Sequence, residues 1–278
     1  MKKLVSTALA FCLLASLSAC AGGSTSSAAS EATSSEATSS EAASSEAASE
    51  PAEEASPEGA AAVMSYEEYM AAAVDDPVTI QAYVQAKQSY YAEQGTATVY
   101  LQDQDGGYFA YDMACTQEDY DAMTEGTKIQ VSGYKTDWAG EIEVIDGQLD
   151  EILEGDTYVA EPLDITELLG TDELEAHQNE KVSFTGLTVE PSTDAEGNEV
   201  AFLYNYDGSG TDGDDLYFNV GYNGATYSFV IESYLCDNTT EVYNAVKNLE
   251  VGQTIDCEGF LYWYEGANPH ITSVTVTG

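Results

Sequence analysis

The 278-residue chain sets 50 acidic residues against seven lysines and no arginine, a formal net charge of −43 at pH 7. Nucleic-acid binding rests on Lys and Arg neutralising phosphates, so this balance predicts no nucleic-acid partner and a surface kept soluble by self-repulsion. Five cysteines in a chain of this length do not make a disulfide scaffold.

Residues 1–20 read MKKLVSTALAFCLLASLSAC. Lys2 and Lys3 form a basic start, an apolar run follows, and the small residues Ser18 and Ala19 precede Cys20, the plan of a secretory signal. The run is shorter than the roughly 20 residues of a membrane span, and no later stretch is apolar enough to cross a bilayer. Leu17-Ser18-Ala19-Cys20 resembles the lipobox of bacterial lipoproteins. That resemblance implies cleavage before Cys20, lipidation of its thiol, the lipid bilayer as a partner through the N-terminal lipid, and an extracytoplasmic, membrane-anchored location at the cell surface. A plain secretory signal or an uncleaved anchor is the alternative.

Residues 21–60 repeat EATSS and EAASS, with Glu31, Glu36, Glu41 and Glu46 at a five-residue period. Five residues turn about 500° on a helix, so the glutamates make no face. No apolar residue larger than Ala occurs, which predicts a disordered acidic tether reaching about 35 Å on average.

The remainder divides by an internal repeat. Gly126-Thr-Lys-Ile129-Gln-Val131-Ser-Gly133-Tyr134 recurs as Gly252-Gln-Thr-Ile255-Asp-Cys257-Glu-Gly259-Phe260. Each copy has a short helical stretch upstream, with capping spacing at Thr116/Asp119 and at Asn238/Glu241. Strand-like runs precede the helices, at residues 78–84, 97–102 and 107–113 in the first copy and 182–189, 200–206 and 216–234 in the second. The last of these is long enough for a hairpin. Two more strands follow each glycine motif, at residues 128–134 and 141–144, then 254–262 and 270–276. Ser65/Glu68 marks a helix before the first copy, and a further helix starts near Asp164 or Thr166.

Each copy therefore reads βββ-α-ββ, which predicts domains at residues 61–158 and 159–278. Five strands with a helix between the third and fourth, and the G-x-x-I-x-x-x-G ending, resemble the OB-fold domains of exported bacterial proteins. The fold implied is mainly β: two tandem five-stranded OB-like Greek-key barrels, each with a short helix between strands 3 and 4, after the tether. The second copy departs from the pattern in its long third strand and in an acidic insertion at 205–215.

OB-folds hold ligands across strands two and three and the adjoining loops. In the first copy those loops carry Tyr90, Tyr91 and Trp138, with Lys87 and Lys135 nearby; in the second the corresponding hairpin carries Tyr262, Trp263 and Tyr264. Flat aromatics offer stacking surfaces to sugars or bases, and a glycan, peptide or surface-protein partner is expected at these eight residues. The same rings would also serve to plug barrel ends or to bury an interface between domains.

Catalytic signatures are missing. His177 and His270 lack zinc-binding company and read as surface or edge residues; no phosphate loop or nucleophile elbow occurs. The insertion at 207–215 lacks the EF-hand register and reads as a solvated turn. Cys257 takes the place of Val131 and reads as a small buried residue; a Cys236–Cys257 disulfide is an alternative, and the odd count of Cys115, Cys236 and Cys257 leaves at least one thiol without an internal partner. The expectation is a non-catalytic, lipid-anchored binding module with no cofactor and no metal. The alternatives are a cell-envelope hydrolase using paired carboxylates and a divalent-cation-binding surface protein.

Overall fold

The computed structural model describes residues 62–278, which fall within one compact unit, Ser56–Gly278. The signal segment, Cys20 and the tether expected at 21–60 lie outside the described residues.

The first barrel consists of β1 (Pro77–Lys87), β2 (Thr96–Gln102), β3 (Gly107–Ala114), β4 (Lys128–Trp138) and β5 (Glu141–Leu153). It closes in the order β1-β2-β3-β5-β4, with β3 parallel to β5 and β4 returning antiparallel to β1. Alternation explains the inside. Val78, Ile80, Ala82 and Val84 of β1 and Ile129 and Val131 of β4 are buried in one core. Helix α1 (Tyr66–Ala71) starts on a full Ser65/Glu68 capping box, and α2 (Gln117–Ala122), between β3 and β4, starts on a Thr116/Asp119 box.

The second barrel has the same topology. Its strands are β6 (Lys181–Glu190), β7 (Leu216–Tyr222), β8 (Ala225–Ile231), β9 (Thr254–Phe260) and β10 (His270–Val276), with α3 (Glu241–Lys247) between β8 and β9. Pairings run β6–β7, β7–β8, β8–β10 in parallel, β10–β9 and β9–β6, which closes the ring. Both units are five-stranded OB-type barrels.

The repeated glycines do the same work twice. Gly126 and Gly252 adopt left-handed φ of 85° and 91° in the turn into the fourth strand, a conformation that costs other residues more. Gly133 and Gly259 sit at bulges where the fifth strand crosses closely. A Cβ at Gly133 would lie 2.6 Å from Val144 Cγ1, and one at Gly259 would collide with the His270 carbonyl.

Three local expectations are corrected. Strand two of the second barrel is not at 200–206: it is the first arm of the hairpin at 216–231. Leu216, Phe218 and Val220 alternate inward there, and Asn223-Gly224, both at positive φ, close a two-residue turn. Residues 191–215 are an insertion with only two-residue strand pieces. The cap of α3 is Thr240, whose side chain accepts from the Tyr243 amide, because a turn on Asp237 delays the helix past Asn238. The helix expected near Thr166 is a pair of 3-10 turns, Thr166–Leu168 and Asp172–His177, separated by Gly170 at φ 82°.

The two barrels share a third apolar cluster of Tyr100, Phe109 and Phe260. Tyr100 stacks on Phe260 at 4.6 Å between centroids. Hydrogen bonds cross the same seam: Lys181 N to Gln102 Oε1 at 2.8 Å, Ser89 N to Tyr234 O at 2.8 Å, and Trp263 N to Glu141 Oε2 at 2.8 Å.

Candidate functional site

Docking on that seam leaves a cleft of about 1240 Å³ between the barrels. One wall is the β2–β3 face of the first barrel, with Thr98, Phe109 and Tyr111; the other is the β7–β8 face of the second, with Tyr217, Ser228 and Val230. These are the second and third strands of each barrel, so both OB ligand faces open on one space. Seven aromatic side chains among the described residues are exposed: Tyr91, Tyr111, Tyr134, Trp138, Tyr206, Tyr234 and Tyr264. All but Tyr134 line this cleft.

Local structure accounts for their placement. Trp138 ends β4 before the two-residue turn Ala139-Gly140, both at positive φ. Tyr111 follows Phe109 by two residues and shares its side of β3. Tyr206 comes from the insertion and meets the Tyr217 ring at 5.9 Å. Tyr234 follows β8 and is held by the Ser89 amide. Asp112, at φ 46° next to an irregularity of the β2–β3 ladder, is held by its amide to Thr98 Oγ1 at 3.1 Å, a bulge that re-aims a side chain beside the cleft.

Of the eight ligand-contact residues expected from sequence, Tyr90, Tyr91, Trp138, Tyr262 and Tyr264 line the cleft. The other three lie elsewhere. Lys135 is buried, and its Nζ donates to the carbonyls of Tyr69, Met70 and Ala72 at 3.0, 2.7 and 3.0 Å, closing the C-terminus of α1. Lys87 donates to the Tyr120 carbonyl and lies 3.8 Å from the centre of its ring. Trp263 packs partly buried on the second barrel's core and against Gly140, where a Cβ would come within 2.7 Å of its ring. Trp263 thus does the interface work that was the other reading of these rings.

His270 is corrected from surface to interior. It is 6% exposed, stacks under Tyr262 at 4.2 Å and shares a 2.6 Å hydrogen bond through Nδ1 with the Tyr100 hydroxyl. Burial pulls its pKa down to about 3, so it is neutral. It lines the cleft, and its Nε2 makes no hydrogen bond among the described residues. No sequence pattern marked it, since it reaches the site only through the docking of two barrels.

The cleft is acidic. Asp112, Asp215, Glu232 and Glu265 line it, without a lysine. Burial, foremost, pushes the Glu232 carboxyl up to about 7, while the amides of Tyr234 and Leu235 donate to its two oxygens at 3.1 and 2.8 Å. Asp215 accepts from the Ser233 amide and hydroxyl at 2.9 and 2.7 Å. Behind the seam, burial raises Glu141 to about 8 and Glu143 to about 7. Among the described residues no group of three or more His, Cys, Asp or Glu is arranged to hold a metal ion, and no helix is long and apolar enough to cross a membrane. In the insertion, Asp212 pairs with Lys247 at 2.6 Å and Asp214 accepts from the Thr211 amide. Cys115, Cys236 and Cys257 are free thiols, so the Cys236–Cys257 bridge is absent. Cys257 is buried in the core as expected.

No protein-family profile and no curated protein matches the chain. Solved structures do. A murine DNA-binding protein bound with dsDNA is 12% identical, with a TM-score of 0.33 and coverage of 73% of this chain and 97% of that one. The Ifi202 HINa domain in complex with a 20-bp dsDNA is 12% identical, with a TM-score of 0.32 and coverage of 73% and 96%. A replication protein A heterotrimer bound to ssDNA is 13% identical, with a TM-score of 0.28; the match spans 73% of this chain and 49% of that one. The expectation of no nucleic-acid partner is corrected by these matches: proteins similar to this chain carry DNA, and acidic composition alone does not exclude that class of partner. At such scores the likeness carries no argument about what this cleft holds.

Proposed function

We propose that this protein is a lipid-anchored, extracytoplasmic binding protein, non-catalytic, whose ligand is a glycan held between its two barrels. The observation that carries the reading is the clustering of the exposed rings: all but one of the seven line one cleft. Exposed apolar patches of this kind mark ligand grooves, and flat rings beside hydroxyl and carboxylate acceptors suit sugar faces and their hydroxyls. The anchor rests on the lipobox-like ending at Cys20. Full-length protein in detergent, titrated calorimetrically with an envelope-glycan panel, is expected to bind at least one glycan, with Trp138→Ala and Tyr217→Ala weakening binding and leaving the fold intact. Absence of binding across the panel contradicts the reading. Palmitate labelling lost in Cys20→Ser tests the anchor separately.

One observation favours a hydrolase as the second reading. Glu232, raised to about 7, lies within electrostatic reach of Asp215 in the cleft, and an acid of raised pKa near a second carboxyl group is the arrangement of glycosidases. Both Glu232 oxygens are already engaged by backbone amides, as is Asp215, which favours a structural role. Release of reducing sugar that Glu232→Gln abolishes would establish the hydrolase.

A further inference from the structure

Resting on the glycan reading of the cleft, we propose that its ligand is an oligosaccharide of amino sugars whose amines are free and positively charged. The charge balance of the walls points there. Asp112 from the first barrel and Asp215, Glu232 and Glu265 from the second face one space. All five lysines among the described residues are engaged outside it. Lys87 lies on Tyr120, Lys128 over Tyr83, Lys135 under α1, Lys181 against Glu125 at 3.3 Å and Lys247 against Asp212. The described residues therefore supply no cation to these carboxylates. Closing carboxylates off from water without a counter-charge is costly even where amides meet them, as at Asp215 and Glu232, and a ligand that enters the cleft must either meet that cost or bring the missing charge.

The rings say the same. Tyr111, Tyr217 and Tyr264 stand in the same space as the acids, and burial, then the charges of Asp215 and Glu232, raise the Tyr217 hydroxyl. An ammonium over a tyrosine face is drawn to the negative face of the ring, while the neutral faces of the same sugar stack on neighbouring rings. His270 adds a fixed polar anchor. With its Nδ1 engaged by Tyr100, its Nε2, which makes no hydrogen bond among the described residues, is left for a ligand hydroxyl on the cleft wall. The volume, about 1240 Å³, exceeds the roughly 300–1,000 Å³ of small-molecule pockets and suits several sugar units rather than one.

The test is calorimetric titration of the full-length protein in detergent with a β-1,4-linked glucosamine tetramer and with its fully N-acetylated counterpart, which differs only in charge and acetyl groups. A hexalysine peptide and a single-stranded oligonucleotide are run beside them. The free-amine tetramer is expected to bind about tenfold tighter than the acetylated one. Asp112→Asn with Glu265→Gln is expected to erase most of that preference at unchanged melting temperature; Glu265 is exposed and its carboxylate makes no hydrogen bond among the described residues. Equal binding of both tetramers overturns the charge inference and keeps the glycan reading. Hexalysine binding as tightly as the amine tetramer overturns the saccharide part. Binding of the oligonucleotide alone, or of none of the four, overturns both.

Discussion

Glu141 is fully buried at the seam between the barrels. One oxygen accepts from the Trp263 amide, while among the described residues Oε1 has no partner, and neither has the buried Oδ1 of Asn179. A proton on Glu141 would let the carboxylic acid donate to an amide oxygen; burial, the largest cause, raises the group to about 8 against the Asn179 and Trp263 hydrogen bonds, which lower it. In the unfolded chain the carboxyl titrates near 4.5, so between these values the folded state holds the extra proton and stability falls as pH rises. Glu143 and Glu232, both raised to about 7, add the same sign. His270, lowered to about 3, acts oppositely, but only below its ordinary 6.5. The protein is therefore expected to lose thermal stability between pH 6.5 and 8.5. Glu141→Gln, whose amide can donate permanently, is expected to melt about 2–4 °C or more above wild type at pH 8.5 and close to it at pH 6. Identical pH profiles for the two proteins would contradict this account of Glu141.

At the scale of elements, the glycine motif and α1 carry separate predictions. Gly259→Ala places a methyl group against the β10 backbone and is expected to cost about 1–3 kcal/mol or more. Gly224→Ala, with open space around it but a positive φ of 82°, is expected to cost about 1 kcal/mol. Urea denaturation separates the two, and a reversed order would contradict the close-crossing argument. Lys135→Met removes three hydrogen bonds that hold the end of α1; it is expected to destabilise the first barrel by about 1–3 kcal/mol and to leave ligand affinity in the cleft unchanged. Element order was legible because inward alternation in β4 and β9 and the spaced glycines are local signals. Strand two of the second barrel was not. A run of apolar residues at 200–206 resembles a strand until the better alternation of Leu216, Phe218 and Val220 claims the ladder. Lys87 and Lys135 stood near the expected loops, yet in an acidic chain the few lysines were drawn to backbone carbonyls and tyrosine rings.

For the whole molecule, the site belongs to the docking of the barrels. Tyr90, Tyr91, Trp138, Tyr262 and Tyr264 were readable from loop position; Tyr206, Tyr217, Tyr234 and His270 were not, because Tyr206 meets Tyr217 only when the insertion folds onto β7, and Tyr234 and His270 are fixed by Ser89 and Tyr100 of the other barrel. The Tyr100–Phe109–Phe260 cluster makes that seating one cooperative element. Phe260→Ala is expected to cost about 3–5 kcal/mol and to split a single thermal transition into two, as calorimetry would record; a single transition, merely lowered, would mean that the hydrogen bonds across the seam suffice.

The central claim is that the aromatic cleft takes a saccharide, and Trp138 reports on it directly. At 61% exposure on the cleft rim it is the solvated one of two tryptophans, Trp263 being packed on the second barrel. Titration of the full-length protein with the glucosamine tetramer, followed by tryptophan fluorescence, is predicted to give a saturable change that disappears in Trp138→Phe. No change, or a change that survives in Trp138→Phe, would contradict the account.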